Sequence, residues 1–220
     1  MNPLFTERLI EPEVLDHVPP EKARPNLADL VRINRVLGGH SVLRRTLPAI
    51  VKSSEPATFL DVGAASGDTA HLVRELYPNA SVVSLDYNST NLEKAPRPKL
   101  LADAFALPFR PRTFDYVLSS LFLHHFENRQ VVTLLREFYA IASKGLLVCD
   151  LERHVLPYLF MRTTKSIFGW NDITVQDGLK SVRAAFRRTE LEALAEEAGI
   201  ANATVVGHRP AFRLALTAVR

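Results

Sequence analysis

Apolar positions along this chain recur in two periods that alternate. Leu27, Leu30, Val31, Ile33, Val36 and Leu37 share one helical face, and Gly38-Gly39 stops that helix. Residues 41–51 read as a second helix interrupted at Pro48. Short apolar runs then alternate with helical stripes. Strands are predicted at 57–62, 81–85, 100–102, 116–119 and 145–149, and helices at 68–76 and 131–142. Residues 152–180 are expected to form an irregular insertion holding Tyr158, Phe160, Phe168 and Trp170. Thr189 is the expected cap of a helix that runs to Ala198 and ends at Gly199. Segments 203–207 and 212–218 read as a closing antiparallel pair.

This alternation implies an α/β fold: a doubly wound, Rossmann-like, seven-stranded and mostly parallel sheet with an antiparallel C-terminal strand. The Pro-punctuated, charged start and the two helices after it form an N-terminal helical appendage. The expected division is a helical cap at 1–54 and a main domain at 55–220 carrying the 152–180 insertion.

Composition narrows the class. The chain has 220 residues, 47% hydrophobic and 23% charged, enough for a sizeable core. The net charge is +3, but the basic residues are scattered with no run of five, so no nucleic-acid partner is expected. The single Cys149 fits a reducing compartment, and as part of an apolar strand it reads as a buried inert thiol. The start lacks a basic stretch followed by an apolar one, and no apolar run approaches a membrane span of about 20 residues. The expectation is a cytoplasmic protein.

The chemistry concentrates at Thr58-Phe59-Leu60-Asp61-Val62-Gly63-Ala64-Ala65-Ser66-Gly67-Asp68, a strand, a tight turn and a helix start. With Gly63 as first glycine, a G-x-G-x-x-G fingerprint would need glycines where Ala65 and Asp68 stand. Asp68 at the helix N-terminus would also repel a pyrophosphate. No Gly-Lys-Ser/Thr occurs, so a phosphate loop is absent. A nucleoside ligand without phosphates fits better. A second apolar strand, Val82-Val83-Ser84-Leu85, ends in Asp86, 19 residues beyond Gly67, where an acid can accept from both ribose hydroxyls.

Leu60 to Asp68 resembles motif I of class I S-adenosylmethionine-dependent methyltransferases. Asp61, Gly63 and Gly67 match, and Ala65 replaces the middle glycine, which is tolerable if its φ is negative. Ala102-Asp103-Ala104 with Leu107-Pro108-Phe109, and Phe114-Asp115-Tyr116-Val117, resemble later segments of the same pattern. Ser119-Ser120-Leu121-Phe122-Leu123-His124-His125-Phe126 resembles the strand exit of the type 11 or ubiquinone/menaquinone methyltransferase-like subgroup. Phe186 and Thr189-Glu190-Leu191 with Ala198-Gly199 resemble its C-terminal segment.

The resemblance implies S-adenosylmethionine as cofactor. It places Asp61, Gly63, Ala64, Ala65, Gly67, Asp86, Tyr87, Asp103, Ala104, Ser119 and Ser120 around it, with Asp86 on the ribose and Asp103 on the adenine amino group. In related enzymes an N-terminal appendage covers the ligand, which makes Arg32, Asn34 and Arg35 candidates for the cofactor's carboxylate. His124 and His125 are the candidate catalytic pair, able to deprotonate a phenol or enol as the methyl group transfers. The plainer alternative is a helix cap or packing under the insertion. No metal is expected, since adjacent histidines lack the i, i+4 presentation of a helical zinc site. The aromatic insertion is either a lid over the acceptor or a satellite core.

The expected function is methyl transfer to a small phenolic or quinol-like acceptor, with O-methylation favoured over C-methylation. Two alternatives stand beside it. An NAD-dependent oxidoreductase of the short-chain type predicts Tyr-x-x-x-Lys, which is absent. A non-catalytic ligand-binding domain of the same fold is favoured only by Ala65. Nucleic-acid methylation predicts N/D-P-P-Y where Ser119-Ser120-Leu121-Phe122 stands.

Overall fold

The computed structural model describes residues 5–51 and 56–220. The boundary expected at 54–55 and the first four residues lie outside them. Seven strands form one sheet in the order β3-β2-β1-β4-β5-β7-β6. They are β1 (Thr58–Val62), β2 (Ser81–Asp86), β3 (Lys99–Leu101), β4 (Phe114–Ser120), β5 (Ala142–Leu151), β6 (Thr204–His208) and β7 (Arg213–Val219). The first five are mutually parallel, and β7 runs antiparallel to β5 and β6. The strand order reverses between β1 and β4, so the crevice where such sheets bind ligands opens at their carboxyl ends.

Side-chain alternation along the strands sorts the core into two layers. Leu60, Val62, Val117, Leu146, Val148, Leu214 and Leu216 pack with α4 (Asn128–Ile141) and α8 (Arg188–Glu197). Phe59, Val82, Leu118, Leu147, Cys149 and Ala215 pack on the other face with α2 (Gly39–Ile50) and α3 (Asp68–Leu76). Thus α2 belongs to the central core. The preceding α1 (Pro20–Val36) packs instead with Leu15 and Ile173, and its Ile33 with Met161 and Trp170.

Three local expectations are corrected. The insertion at 152–180 is helical: α5 (Val155–Thr163), α6 (Lys165–Phe168) and α7 (Asp172–Ala184). Gly178 permits this packing, because a Cβ there would lie 2.8 Å from Met161 Cε of α5. Pro48 does not interrupt α2, which continues to Ile50. Thr189 lies inside the first turn of α8, where Glu190 accepts from the Arg187 amide at 2.8 Å. Among the described residues, no helix is long and apolar enough to cross a membrane.

Candidate functional site

The turn after β1 is stitched to β2 by two hydrogen bonds. The Ala64 amide donates to Leu85 O at 2.9 Å, and the Ala65 amide donates to Asp86 Oδ2 at 2.9 Å. Asp86 Oδ1 accepts from the Asn88 amide and Asn91 Nδ2. Three of the roughly four acceptor positions of this carboxylate are therefore taken by the protein. Gly63 and Gly67 hold φ of 72° and 73°. A Cβ on Gly63 would lie 2.3 Å from the Phe122 ring, and one on Gly67 2.5 Å from Pro96. Both glycines are thus required by conformation and by packing. Ala65 holds φ of 44°, so the condition of a negative φ is not met, and its Cβ is carried in a strained left-handed turn.

Asp61 occupies the floor of this turn. It is 1% exposed, and neither carboxylate oxygen has a hydrogen-bond partner among the described residues. Burial, with the fields of Asp68 and Asp86 behind it, holds its pKa well above the ordinary carboxyl range. Asp68 is bound from the appendage by Asn34 Nδ2 and His40 Nε2, each at 3.0 Å. Three acids converge on one glycine turn. That field disfavours phosphates and favours a cationic nucleoside, and a buried carboxyl without a donor matches a ligand that brings one.

Beyond the turn, a cavity of about 650 Å³ opens under α1, lined by Ile33, Leu37, Ala64, Ala65, Ser120, Phe160 and Met161. Its lining is mainly apolar, with His124 and His125 at one end. Of the four non-glycine residues with positive φ among the described ones, Ala65, Leu121 and Phe212 line it. Strain of this kind concentrates where a fold has other constraints to meet.

His124 is 3% exposed on the 3₁₀ turn Leu123–His125. Its Nδ1 lies 2.6 Å from Asp150 Oδ1, and its amide donates to Asp150 Oδ2 at 3.2 Å. Burial opposes ionisation of Asp150, but His124 and the Leu151 amide outweigh it and hold the pKa below the usual value. An ionised Asp150 only accepts, so His124 Nδ1 donates to it, and in the neutral form of that imidazole Nε2 is the nitrogen with a free lone pair. Arg8 fixes the turn by donating to His124 O at 3.1 Å and Phe126 O at 2.9 Å, its guanidinium 4.1 Å from the Phe186 ring. The His125 ring stands 4.1 Å from that of His124, and its Nδ1 lies 3.7 Å from Glu13 Oε1. Burial, then the neighbouring His124, lower its pKa. Ligand atoms of Glu13, His124 and His125 all lie within 4.8 Å of one another, a grouping that sequence adjacency did not reveal.

The other candidates are spread more widely. Ser119 is buried with an unpartnered Oγ, and Ser120 lines the cavity. Tyr87, Asp103 and Ala104 lie outside the cavity lining, at the ends of β2 and β3. Tyr87 is 80% exposed. Asp103 accepts from the Phe105 amide at 2.9 Å as a local turn. The rings of Phe105, Phe126 and Phe122 form an edge-to-face chain from that turn to Gly63. Arg32 lies on Trp170 and donates to Phe168 O, joining α1 to the insertion. Phe168 and Trp170 form a satellite core with Ile33 and Met161, while Phe160 and Met161 also reach the cavity. Cys149 is buried, and burial pushes its thiol up to about 12.

Sequence reasoning missed Asp150, Glu13, Arg8 and Arg213. Asp150 carried the signal already used for Asp61 and Asp86, an apolar strand ending in an acid.

A family model described as a methyltransferase domain matches residues 60–149. That match, with the relatives named next, supports a class I S-adenosylmethionine-dependent methyltransferase. It is 30% identical over 124 residues to the demethylmenaquinone methyltransferase of Thermotoga maritima, covering 53% of each chain. It is 29% identical over 123 residues to the malonyl-[acyl-carrier protein] O-methyltransferase of Xylella fastidiosa, covering 51% of this chain and 41% of that one. The match therefore spans about half the length of these relatives. A solved S-adenosylmethionine-dependent methyltransferase from Aquifex aeolicus superposes with a TM-score of 0.63 at 17% identity, covering 91% of this chain and 98% of that one. That likeness bears on the fold, and the seven-stranded sheet with its antiparallel strand is the one expected.

Proposed function

We propose that this methyltransferase domain methylates a small phenolic or quinol-like acceptor, at oxygen in preference to carbon. The observation that carries the reading is His124, whose Nδ1 is held by Asp150 at 2.6 Å while its ring borders a mainly apolar cavity. S-adenosylmethionine supplies an electrophilic methyl group. Its relatives' names, one a quinone methyltransferase and one an O-methyltransferase, support the acceptor class without fixing it.

The chain's residues divide the work. The turn Gly63, Ala64, Ala65 and Gly67, with Asp86, holds the cofactor's ribose end, and Asp61 offers its carboxylate to the cationic amino-acid end. Asp103 and Ala104, with Tyr87 and the Phe122 ring, border the adenine, and Ser119 and Ser120 lie at the exit of β4 between cofactor and acceptor. His124 Nε2 takes the proton of the acceptor hydroxyl, and Asp150 stabilises the imidazolium that results. α1 and the helical insertion exclude water from the reacting atoms.

The test has two arms. Calorimetric titration should show S-adenosylhomocysteine binding and no NADH binding; the reverse pattern ends the methyltransferase reading. A panel of phenols and quinols with labelled methyl donor should then give product that disappears in His124→Ala, with binding of S-adenosylhomocysteine retained. Product formation unaffected by that substitution removes the base from the scheme.

A further inference from the structure

Arg213 opens β7, and its antiparallel ladder partner is Leu151, the residue after Asp150. It is 5% exposed and lines the cavity. Among the described residues it has no carboxylate within salt-bridge distance. Nη1 donates to Ala211 O at 3.3 Å, and Nε has no acceptor. The acid whose field reaches it, Asp150, is committed to His124 on both oxygens. A buried guanidinium without a counter-ion is costly, and folds keep one where a ligand completes the pair.

We propose that Arg213 recognises a carboxylate on the methyl acceptor, which makes the acceptor a phenolic or quinol-like acid rather than a neutral phenol. The proposal rests on the acceptor reading above and narrows it. A guanidinium fork matches a planar carboxylate in two parallel hydrogen bonds, and one unsatisfied N–H lies on Nε. Position favours the acceptor over the cofactor as the source of that carboxylate. The glycine turn follows β1, and Arg213 stands three strands away across β4 and β5, roughly 14 Å by ordinary sheet spacing. Arg213 on β7 is one strand spacing, roughly 5 Å at the backbone, from Leu151 on β5, the residue after the His124 partner Asp150, and Arg213 and His124 both line the cavity. The turn that presents it is fixed by Arg209, which pairs with Glu152 at 2.7 Å and lies over the Phe212 ring. Burial depresses the Arg213 pKa, with Cys149 and Asp150 acting against it, and a bound carboxylate would add to their effect.

The experiment compares benzoate with benzamide, each titrated into wild type and Arg213→Met, with and without S-adenosylhomocysteine. Wild type should bind benzoate at least tenfold more tightly than benzamide, and Arg213→Met should lose that preference. Arg213→Lys should restore part of it. Met fills the same space without charge, so the variant should melt at or above the wild-type temperature, which separates lost recognition from lost folding. No response of wild type to benzoate, or an acid preference that survives Arg213→Met, overturns the proposal. Titration with S-adenosylhomocysteine and 5′-methylthioadenosine identifies the other source. If Arg213→Met weakens only the former tenfold, Arg213 serves the cofactor's carboxylate and the proposal falls. If wild type binds neither nucleoside, the methyltransferase reading fails on its own, while the benzoate comparison still decides Arg213.

Discussion

Asp150 grips His124 at two points, Oδ1 at 2.6 Å from the ring Nδ1 and Oδ2 at 3.2 Å from the backbone amide. One carboxylate thereby sets both the tautomer of the imidazole and the position of the turn that carries it. Asp150→Asn keeps the shape but offers an amide N–H where an acceptor is needed, which drives His124 toward the wrong tautomer. The expected loss in kcat is about 10²–10⁴, the usual range for a positioned base. The acceptor's KM and S-adenosylhomocysteine affinity should change little. More acidic phenols should lose less, since they need less help in giving up the proton. An equal loss for phenols of every acidity would assign Asp150 a purely structural role.

Asp61 links stability to binding in a way that pH exposes. Its raised pKa means that the folded state holds this proton more tightly than the unfolded chain, whose carboxyl titrates near 3.9. The stability it contributes is therefore fullest in acid and declines as pH rises through the unfolded value toward the folded one. Asp61→Asn removes that decline. Cofactor-free Asp61→Asn should melt about 2–4 °C higher at pH 7, the shift expected for roughly 1 kcal/mol in a chain of this size. The gap should close below pH of about 4, where the folded and unfolded chains both hold the proton. Binding of S-adenosylhomocysteine should weaken at least tenfold, because its ammonium loses its counter-charge. Scanning calorimetry across pH checks the first outcome and titration the second.

Ala65 gives a prediction of opposite kind. With φ at 44°, an L-residue pays about 1–2 kcal/mol relative to its relaxed conformation, while Gly costs a few tenths to 1 kcal/mol more in the unfolded chain. Ala65→Gly should thus raise stability by roughly 0.5–1 kcal/mol. Ala65→Val should lower it instead, since β-branching worsens the same clash. If Ala65→Gly destabilises the protein, the left-handed turn is not the native one.

These predictions fall on residues that the sequence revealed unequally. The sheet was legible because its strands are compact apolar runs, β1, β2 and β5 among them closed by Gly or an acid, and the glycine turn because Gly63 and Gly67 mark positive φ. The helices of 152–180 were not. Leu159 and Ile167 are exposed, Leu156 faces the open cavity, Pro157 and Gly178 interrupt the pattern, and no clean apolar stripe remains. Arg213 and Glu13 were invisible for another reason. A charged residue gives no sign in sequence of being buried, and both reach the site by tertiary packing, Glu13 from an extended segment tied to α7 by Asp177, which accepts from the Val14 and Leu15 amides.

Glu13, His124 and His125 lead to the last prediction. Their ligand atoms lie within 4.8 Å of one another, and Asp150 behind His124 is the carboxylate–histidine arrangement that orients an imidazole toward a metal. His125, kept neutral by burial, is ready to bind. Zn²⁺ taken up here would capture the Nε2 lone pair that the acceptor's proton needs. Low micromolar zinc should therefore inhibit methyl transfer, and EDTA should reverse it. Inhibition should fade as pH falls and protons compete for the His125 imidazole, whose pKa burial lowers. Glu13→Gln should weaken inhibition at least ~10-fold while leaving S-adenosylhomocysteine binding intact. A rate insensitive to zinc would show that these three groups do not converge on one ion, and stimulation by zinc would make the metal part of the reaction instead of an inhibitor.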